Sequence, residues 1–465
     1  MTWETVIGLE VHAHLLTKTK LFCRCSTTFG GEANAHTCPV CLGMPGALPV
    51  LNQHAVELAI KAGLALGCEI QTHSEWSRKQ YFYPDSAKNY QITQFEFPYA
   101  LNGGLAGVRL QRIHMEEDAG KSMHGGRGDG GEYSLVDYNR ASVPLVEIVS
   151  HPDLRSAEDA ATYLRALREI LVALEVCDGN MEEGSFRCDA NVSIRRAGEP
   201  LGTRVELKNI NSFKFVVQAI TYEVARQREV LESGGKLTQE TRLWDTTANV
   251  SRPMRSKEEA NDYRYFPDPD LPPLHIEQSW VEELRATQPE LPAAKRARYA
   301  TLGLSEALSE AMTRMPVIAA LFEDVVASAR ADVEPKAIAN FIDNVVTAVK
   351  SGHKVPARNI AALLVVVAKG DISFNVAKSE VWPEMVASGQ APAAIIAAKG
   401  LVQVSDSGAI EAVCQEVIAA NPDSVASYKG GKAQLFGFFV GQVMKKSGGT
   451  LNPPAVSAAL KKLLG

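Results

Sequence analysis

The chain has 465 residues, of which 46% are apolar, 22% charged and 7% aromatic; this is the composition of a folded globular protein and excludes disordered and collagen-like classes. The longest uncharged apolar run, 360–368, spans nine residues, where a membrane-spanning helix needs about twenty. The formal net charge of −6 is uneven: residues 424–465 carry six lysines (429, 432, 445, 446, 461 and 462) and no acid, leaving −12 on the rest.

Residues 5–15 alternate as a half-buried strand does. Ile7, Leu9, Val11, Ala13 and Leu15 point one way, and Glu10, His12 and His14 the other. Glu4 and Glu10 precede the first basic residue, Lys18, which is not the pattern of a secretory leader. Eight cysteines in 465 residues are too few for a disulfide scaffold, so a reducing cytoplasm is the expected compartment. Four of them, Cys23, Cys25, Cys38 and Cys41, fall within nineteen residues and are spaced as two pairs. Two thiolate pairs on turns suit a structural tetrahedral zinc, with no open position for catalysis. Free buried thiols or a redox pair would fit the same spacing.

Arg78-Lys-Gln-Tyr-Phe-Tyr-Pro-Asp85 clusters aromatic and basic side chains, as does Asp262-Tyr-Arg-Tyr-Phe-Pro-Asp268. Such clusters stack on a nucleotide or an RNA end, or are core aromatics beside surface charge. His114-Met-Glu-Glu-Asp118 sets three acids together, and the glycine-rich 125–131 reads as a hairpin tip. The apolar strand 144–149 holds a lone acid, Glu147. A helix opens at Ser156 with Asp159 as its capping-box acid, and a second runs over 212–234. Between them, strands 186–194 and 203–208 put Asp189 and Glu206 on polar faces.

Each polar face alone could simply meet water. Together they describe carboxylates converging on a concave sheet, which repel unless a cation neutralises them. Hard oxygen ligands with an imidazole suit Mg²⁺, and Mg²⁺ suits a nucleotide phosphate. No Walker A loop or hydrolase elbow is present and no Gly-x-Gly-x-x-Gly is read as following a strand, so ATP chemistry here needs another scaffold.

Six prolines over 267–292 read as an extended boundary. Beyond it, helical periodicity covers 317–331, 335–350, 356–369, 376–388 and 392–399, and after a break near 400–408 it ends in 454–464. The expected fold is α+β: a cradle domain (1–291) with an antiparallel or mixed sheet and a zinc knuckle at 23–41, an all-α helical domain (292–402), and a small all-α tail domain (403–465). The tail's lysines are either a site for an anionic partner or a solvated surface.

Six co-linear segments, 3–12, 78–85, 114–121, 184–193, 206–213 and 262–270, resemble the B subunits of the aspartyl/glutamyl-tRNA(Asn/Gln) amidotransferases, and the resemblance spans the whole chain. It implies an ATP-dependent ligase in which the carboxylate of Glu on tRNA(Gln), or Asp on tRNA(Asn), is phosphorylated and then amidated. Ammonia would come from a glutaminase partner, the amidase (A) subunit, with a small (C) subunit completing a heterotrimer, and the tail would engage the misacylated tRNA. The resemblance implies Mg²⁺ ligands at Glu10, His12, Glu117, Asp189 and Glu206, with Glu147 close by and catalytic. It implies pocket residues at Lys79 and Tyr81, catalytic and ATP-binding, and a zinc knuckle at Cys23, Cys25, Cys38 and Cys41. A zinc-containing RNA-binding protein with structural acids is the rival reading; ATP cleavage dependent on misacylated tRNA separates the two.

Overall fold

In a computed structural model of the chain, the alternating strand at the N-terminus becomes the middle of a sheet. Residues 2–124, 133–256, 263–348, 354–401, 407–447, 451 and 453–465 are described. The 125–131 tip, Asp262, and the end of the helix expected over 335–350 lie outside them. The described residues form two units, Met1–Pro292 and Ala293–Gly465.

The first unit is α+β. Ten strands follow one another across its sheet: β1 (Trp3–His14), β2 (Ser77–Gln80), β3 (Tyr90–Thr93), β4 (Val108–Glu117), β5 (Pro144–Ser150), β6 (Phe186–Arg196), β7 (Val205–Ile210), β8 (Glu240–Asp245), β9 (Val250–Ser256) and β10 (Phe266–Pro267). Their order is β9-β8-β7-β6-β1-β5-β4-β3-β2-β10. The sheet is mixed: β7 and β8 run parallel, and the other neighbours antiparallel.

Register does the positioning. Glu10 lies opposite Asp189, His12 opposite both Glu147 and Arg187, Glu147 opposite His114, and Glu206 opposite Asn191. Directly opposed residues share a face of the sheet, so these side chains form one polar band. Ile7, Leu9, Val11 and Ala13 take the other face and are buried in one core with helices α1 (Gln53–Ala65), α2 (Ala157–Ala173) and α3 (Phe213–Glu232). The Ser156 hydroxyl caps α2 by accepting the Asp159 N–H, and Tyr163, Leu164, Leu167 and Leu171 are its buried stripe. Ser212 caps α3 in the same way.

The proline-rich 267–292 segment is not an extended connector throughout. Its prolines flank a helix, Gln278–Ala286, whose Val281 and Leu284 join the first core.

The second unit is helical, with two separate buried clusters, one drawn from residues 299–396 and one from 410–464. Two of the expected helices are interrupted by π-helical turns, at Ile342–Val346 and at Ala377–Val381. The second has a clear cause: Pro383 has no N–H to donate, so the turn ahead of it widens. In the last cluster, the helix Ser407–Ala420 packs with Leu435–Lys446 and Pro453–Leu464. Its Glu416 pairs with Lys446 and its Glu411 with Lys462, so part of the tail's positive charge is neutralised internally. Lys429, Lys432 and Lys445 form no ion pair among the described residues.

Candidate functional site

The polar band holds two groups of acids. In the first, Glu147 of β5 sits between two imidazoles, with His114 Nε2 at 3.2 Å and His12 Nε2 at 3.5 Å. Glu116 of β4 completes it: ligand atoms of His114, Glu116 and Glu147 all lie within 4.8 Å of one another. Burial disfavours charge on Glu147, yet His114 and His12 hold its carboxyl well below the usual carboxylate range. Burial would likewise depress His12, but Glu147 outweighs it and raises the imidazole above its ordinary value.

Two buried atoms of this group, His114 Nδ1 and Glu116 Oε2, have no hydrogen-bond partner among the described residues. Lys79 Nζ, on β2, stands 3.6 Å from that same Glu116 oxygen and 5.4 Å from the Tyr263 ring. Burial opposes its charge, but Glu116 and Glu147 raise its affinity for the proton. Buried polar atoms without hydrogen bonds among the described residues, lined by carboxylates and imidazole, fit a hard divalent cation.

The second group is Glu10, Asp189 and Glu206, on β1, β6 and β7. Lys208 reaches into it, with Nζ 2.5 Å from Asp189 and 3.2 Å from Glu206. Asn191 donates to Glu10 at 2.9 Å, and the Thr241 hydroxyl donates to Glu206 at 2.8 Å. Burial first, then the Glu147, Glu206 and Asp189 carboxylates, push the Glu10 carboxyl above its ordinary value. The Lys208 ammonium offsets only part of this crowding.

Not every expected ligand joins the band. Glu117 follows Glu116 and so projects from the other face, where it is buried and accepts from Lys88, the Ser142 hydroxyl and the Ile92 N–H. Its neighbour Glu116 takes the place that the motif pointed to. His14 is engaged by Asp118 at 2.6 Å, beside Arg187 at 2.7 Å from the same carboxylate oxygen. Tyr81, just past β2, stacks on Tyr83 with ring centroids 5.9 Å apart. Two members of the band, His114 and Glu116, are given no role by the sequence reading, which places a third, Lys208, on the polar face of 203–208 without assigning it one. The alternation Ile113, Met115 against His114, Glu116 was its only available signal for the first two.

The four clustered cysteines are unbonded thiols whose sulfurs lie within 4.8 Å of one another. The Cys41 thiol is pulled down to about 5, chiefly by the hydrogen bond from Cys23, whereas burial pushes Cys25 up to about 11. Gly43 has φ +66°, and a Cβ there would come within 2.5 Å of Lys88 Cγ, so the turn after Cys41 requires glycine. Four converging sulfurs with one thiol already inclined to ionise are a donor set that can bind zinc.

Comparison with known proteins is consistent along the chain. The family model described as the GatB/GatE catalytic domain matches residues 5–282, and the GatB domain model matches residues 320–464. The chain is 53% identical to the aspartyl/glutamyl-tRNA(Asn/Gln) amidotransferase B subunit of Geotalea uraniireducens, with both chains covered in full. It is 52% identical to the proteins of the same name from Geobacter sulfurreducens and Myxococcus xanthus, over all of this chain and 100% and 99% of theirs.

Proposed function

Because the chain belongs to the family of aspartyl/glutamyl-tRNA(Asn/Gln) amidotransferase B subunits, we propose that its acidic band carries the ATP-dependent activation of Glu on tRNA(Gln), Asp on tRNA(Asn), or both. The observation that carries this reading is the convergence of Glu10, His12, His114, Glu116, Glu147, Asp189 and Glu206 on one face of the sheet.

The side-chain carboxylate of the aminoacyl group attacks the γ-phosphorus of ATP, the bond to ADP breaks, and an acyl phosphate forms. Ammonia then attacks the acyl carbon, phosphate leaves with the C–O bond pair, and loss of a proton gives the amide. The first step brings one anion against another. Mg²⁺ held by the carboxylates and imidazoles of the band supplies neutralisation of the phosphate oxygens.

The chain's own residues do the rest. Glu147, kept ionised by its two imidazoles, presents a fixed negative charge for cation binding. Lys79, kept protonated by Glu116 and Glu147, adds a positive charge for phosphate, and Tyr81 would be a further ATP-binding residue, as in the sequence reading. The burial of His114, Glu116, Glu147 and Glu206 limits water, which would hydrolyse the acyl phosphate. Glu117 stands outside this set because Lys88 and Ser142 hold it on the other face.

Cys23, Cys25, Cys38 and Cys41 would hold a structural zinc. Lys429, Lys432 and Lys445 are the tail's candidates for contact with the tRNA backbone. The work is cytoplasmic, in a heterotrimer whose amidase (A) subunit releases ammonia from glutamine and whose small (C) subunit joins the two. None of the chain's described helices is long and apolar enough to cross a membrane.

ATP cleavage that depends on misacylated tRNA, measured in the reconstituted complex with ammonium supplied, tests the reading. Asp189→Asn is expected to abolish that cleavage and amide formation while glutamine hydrolysis by the partner continues. Normal turnover together with a shifted melting temperature would mean that the acids are only structural.

A further inference from the structure

The lysine that best explains the cysteine cluster is one that the phosphoryl-transfer chemistry does not use. Lys20 has none of its surface exposed, which is rare for an ammonium group. All three of its Nζ donors are taken: the His36 carbonyl at 2.7 Å, the Tyr138 carbonyl at 3.2 Å and the Cys41 sulfur at 3.7 Å. Its own N–H donates to the Cys25 carbonyl at 3.0 Å, and the next residue, Leu21, donates to the Ser142 carbonyl at 2.9 Å. Lys20 therefore touches both halves of the cluster and the 138–142 turn that leads into β5.

The charge arithmetic gives this contact a purpose. Zinc bound by four thiolates carries a net charge of about −2, and at Cys41, the buried one of the four, charge without a counter-charge is destabilising. The Cys41 sulfur also accepts the Cys38 N–H at 3.2 Å, so it is the best-donated of the four. Among the described residues no other Lys, Arg or His side chain is hydrogen-bonded to these sulfurs. We propose that Lys20 is the counter-charge of the zinc knuckle: its buried ammonium neutralises part of the tetrathiolate's charge through Cys41 and ties the loaded knuckle to the 138–142 turn.

This inference rests on the zinc reading, and the test separates the two. Zinc content and zinc affinity of the purified full chain are measured by elemental analysis and chelator competition, with Co²⁺ absorption as the signature of thiolate ligation. Wild type is expected to hold one zinc per chain. Lys20→Met should release zinc about 10–100-fold more readily, the range expected when a partner of a metal ligand is removed. Lys20→Gln should lose as much, because it retains an N–H donor for the carbonyls but no charge, and Lys20→Arg should stay within about threefold of wild type. Where Lys20→Met does not fold, the Gln and Arg variants carry the test. A folded Lys20→Gln chain that binds zinc as wild type does would make Lys20 a mere tether and overturn the proposal with the zinc site intact. A wild-type chain that takes up neither Zn²⁺ nor Co²⁺ on its thiols removes the zinc site, and the proposal with it.

Discussion

The two halves of the acidic band are built from the same residue types but are neutralised differently. Around Glu147 the compensation comes from two imidazoles, at 3.2 and 3.5 Å, with the Lys79 ammonium 3.6 Å from Glu116, and among the described residues His114 Nδ1 and Glu116 Oε2 have no hydrogen-bond partner. Around Asp189 and Glu206 it comes from the Lys208 ammonium, at 2.5 and 3.2 Å. Imidazoles can turn from counter-ion to ligand by giving up a proton, whereas a lysine in contact with two carboxylates competes with any cation that approaches them. The Glu147 half therefore takes a divalent ion once an imidazole gives up its proton, with Lys79 beside Glu116. The Glu10, Asp189 and Glu206 half admits one only as Lys208 withdraws.

The contrast can be broken most forcefully at Glu147. Glu147→Gln is expected to weaken Mn²⁺ binding to the full chain on the order of a hundredfold, the upper part of the range for a disturbed metal site. Glu117→Gln, on the opposite face, should leave that affinity within about threefold. Titration followed by the paramagnetic Mn²⁺ signal reads both, and equal losses would erase the distinction between the faces.

Lys208→Met sharpens the other half. If the ammonium competes with metal, its removal should tighten Mn²⁺ binding by roughly tenfold, as the loss of one nearby positive charge implies. Weaker binding would mean that Lys208 organises the acids for the metal.

The smallest effect is expected at Glu10. Its carboxyl is raised above the ordinary value near 4.5, so the folded state binds the proton more tightly than the unfolded one. Stability should therefore rise as pH falls from the raised value toward the ordinary one. In Mg²⁺-free buffer near neutral pH, Glu10→Gln should melt higher than wild type, on the order of 2 °C for about 1 kcal/mol in a domain of this size. That gain should fade on acidification. A lower melting temperature for the variant at neutral pH would contradict the crowding of acids around Glu10.

Most of this band was legible before the fold was known, because the strand period of two sorts side chains whatever their neighbours are. Glu10, His12, Asp189 and Glu206 follow from alternation, and Glu147 from being the lone acid in an apolar strand. The choice between Glu116 and Glu117 needed the same rule applied to β4. Met115 is fully buried in the core and Glu117 shares its parity, so Glu116 must face the band. Lys208 was visible as a polar-face residue, but its contact with Asp189 depends on the β6–β7 register, which has an irregularity between Cys188 and Ala190. Sequence periodicity carries no information about such a shift. The helix within the proline-rich 267–292 segment was hidden for another reason: its prolines lie outside the helix and mark its limits instead of preventing it.

Anomalous diffraction from crystals of the intact complex soaked with Mn²⁺ and a non-hydrolysable ATP analogue tests the central claim most directly. One Mn²⁺ is expected within coordinating distance, roughly 2.0–2.3 Å, of the Glu147 and Glu116 carboxylates, with a phosphate oxygen among its ligands and Lys79 beside the phosphate. Mn²⁺ bound at Glu117, or a nucleotide bound away from the acidic band with no metal at Glu147, would contradict the account.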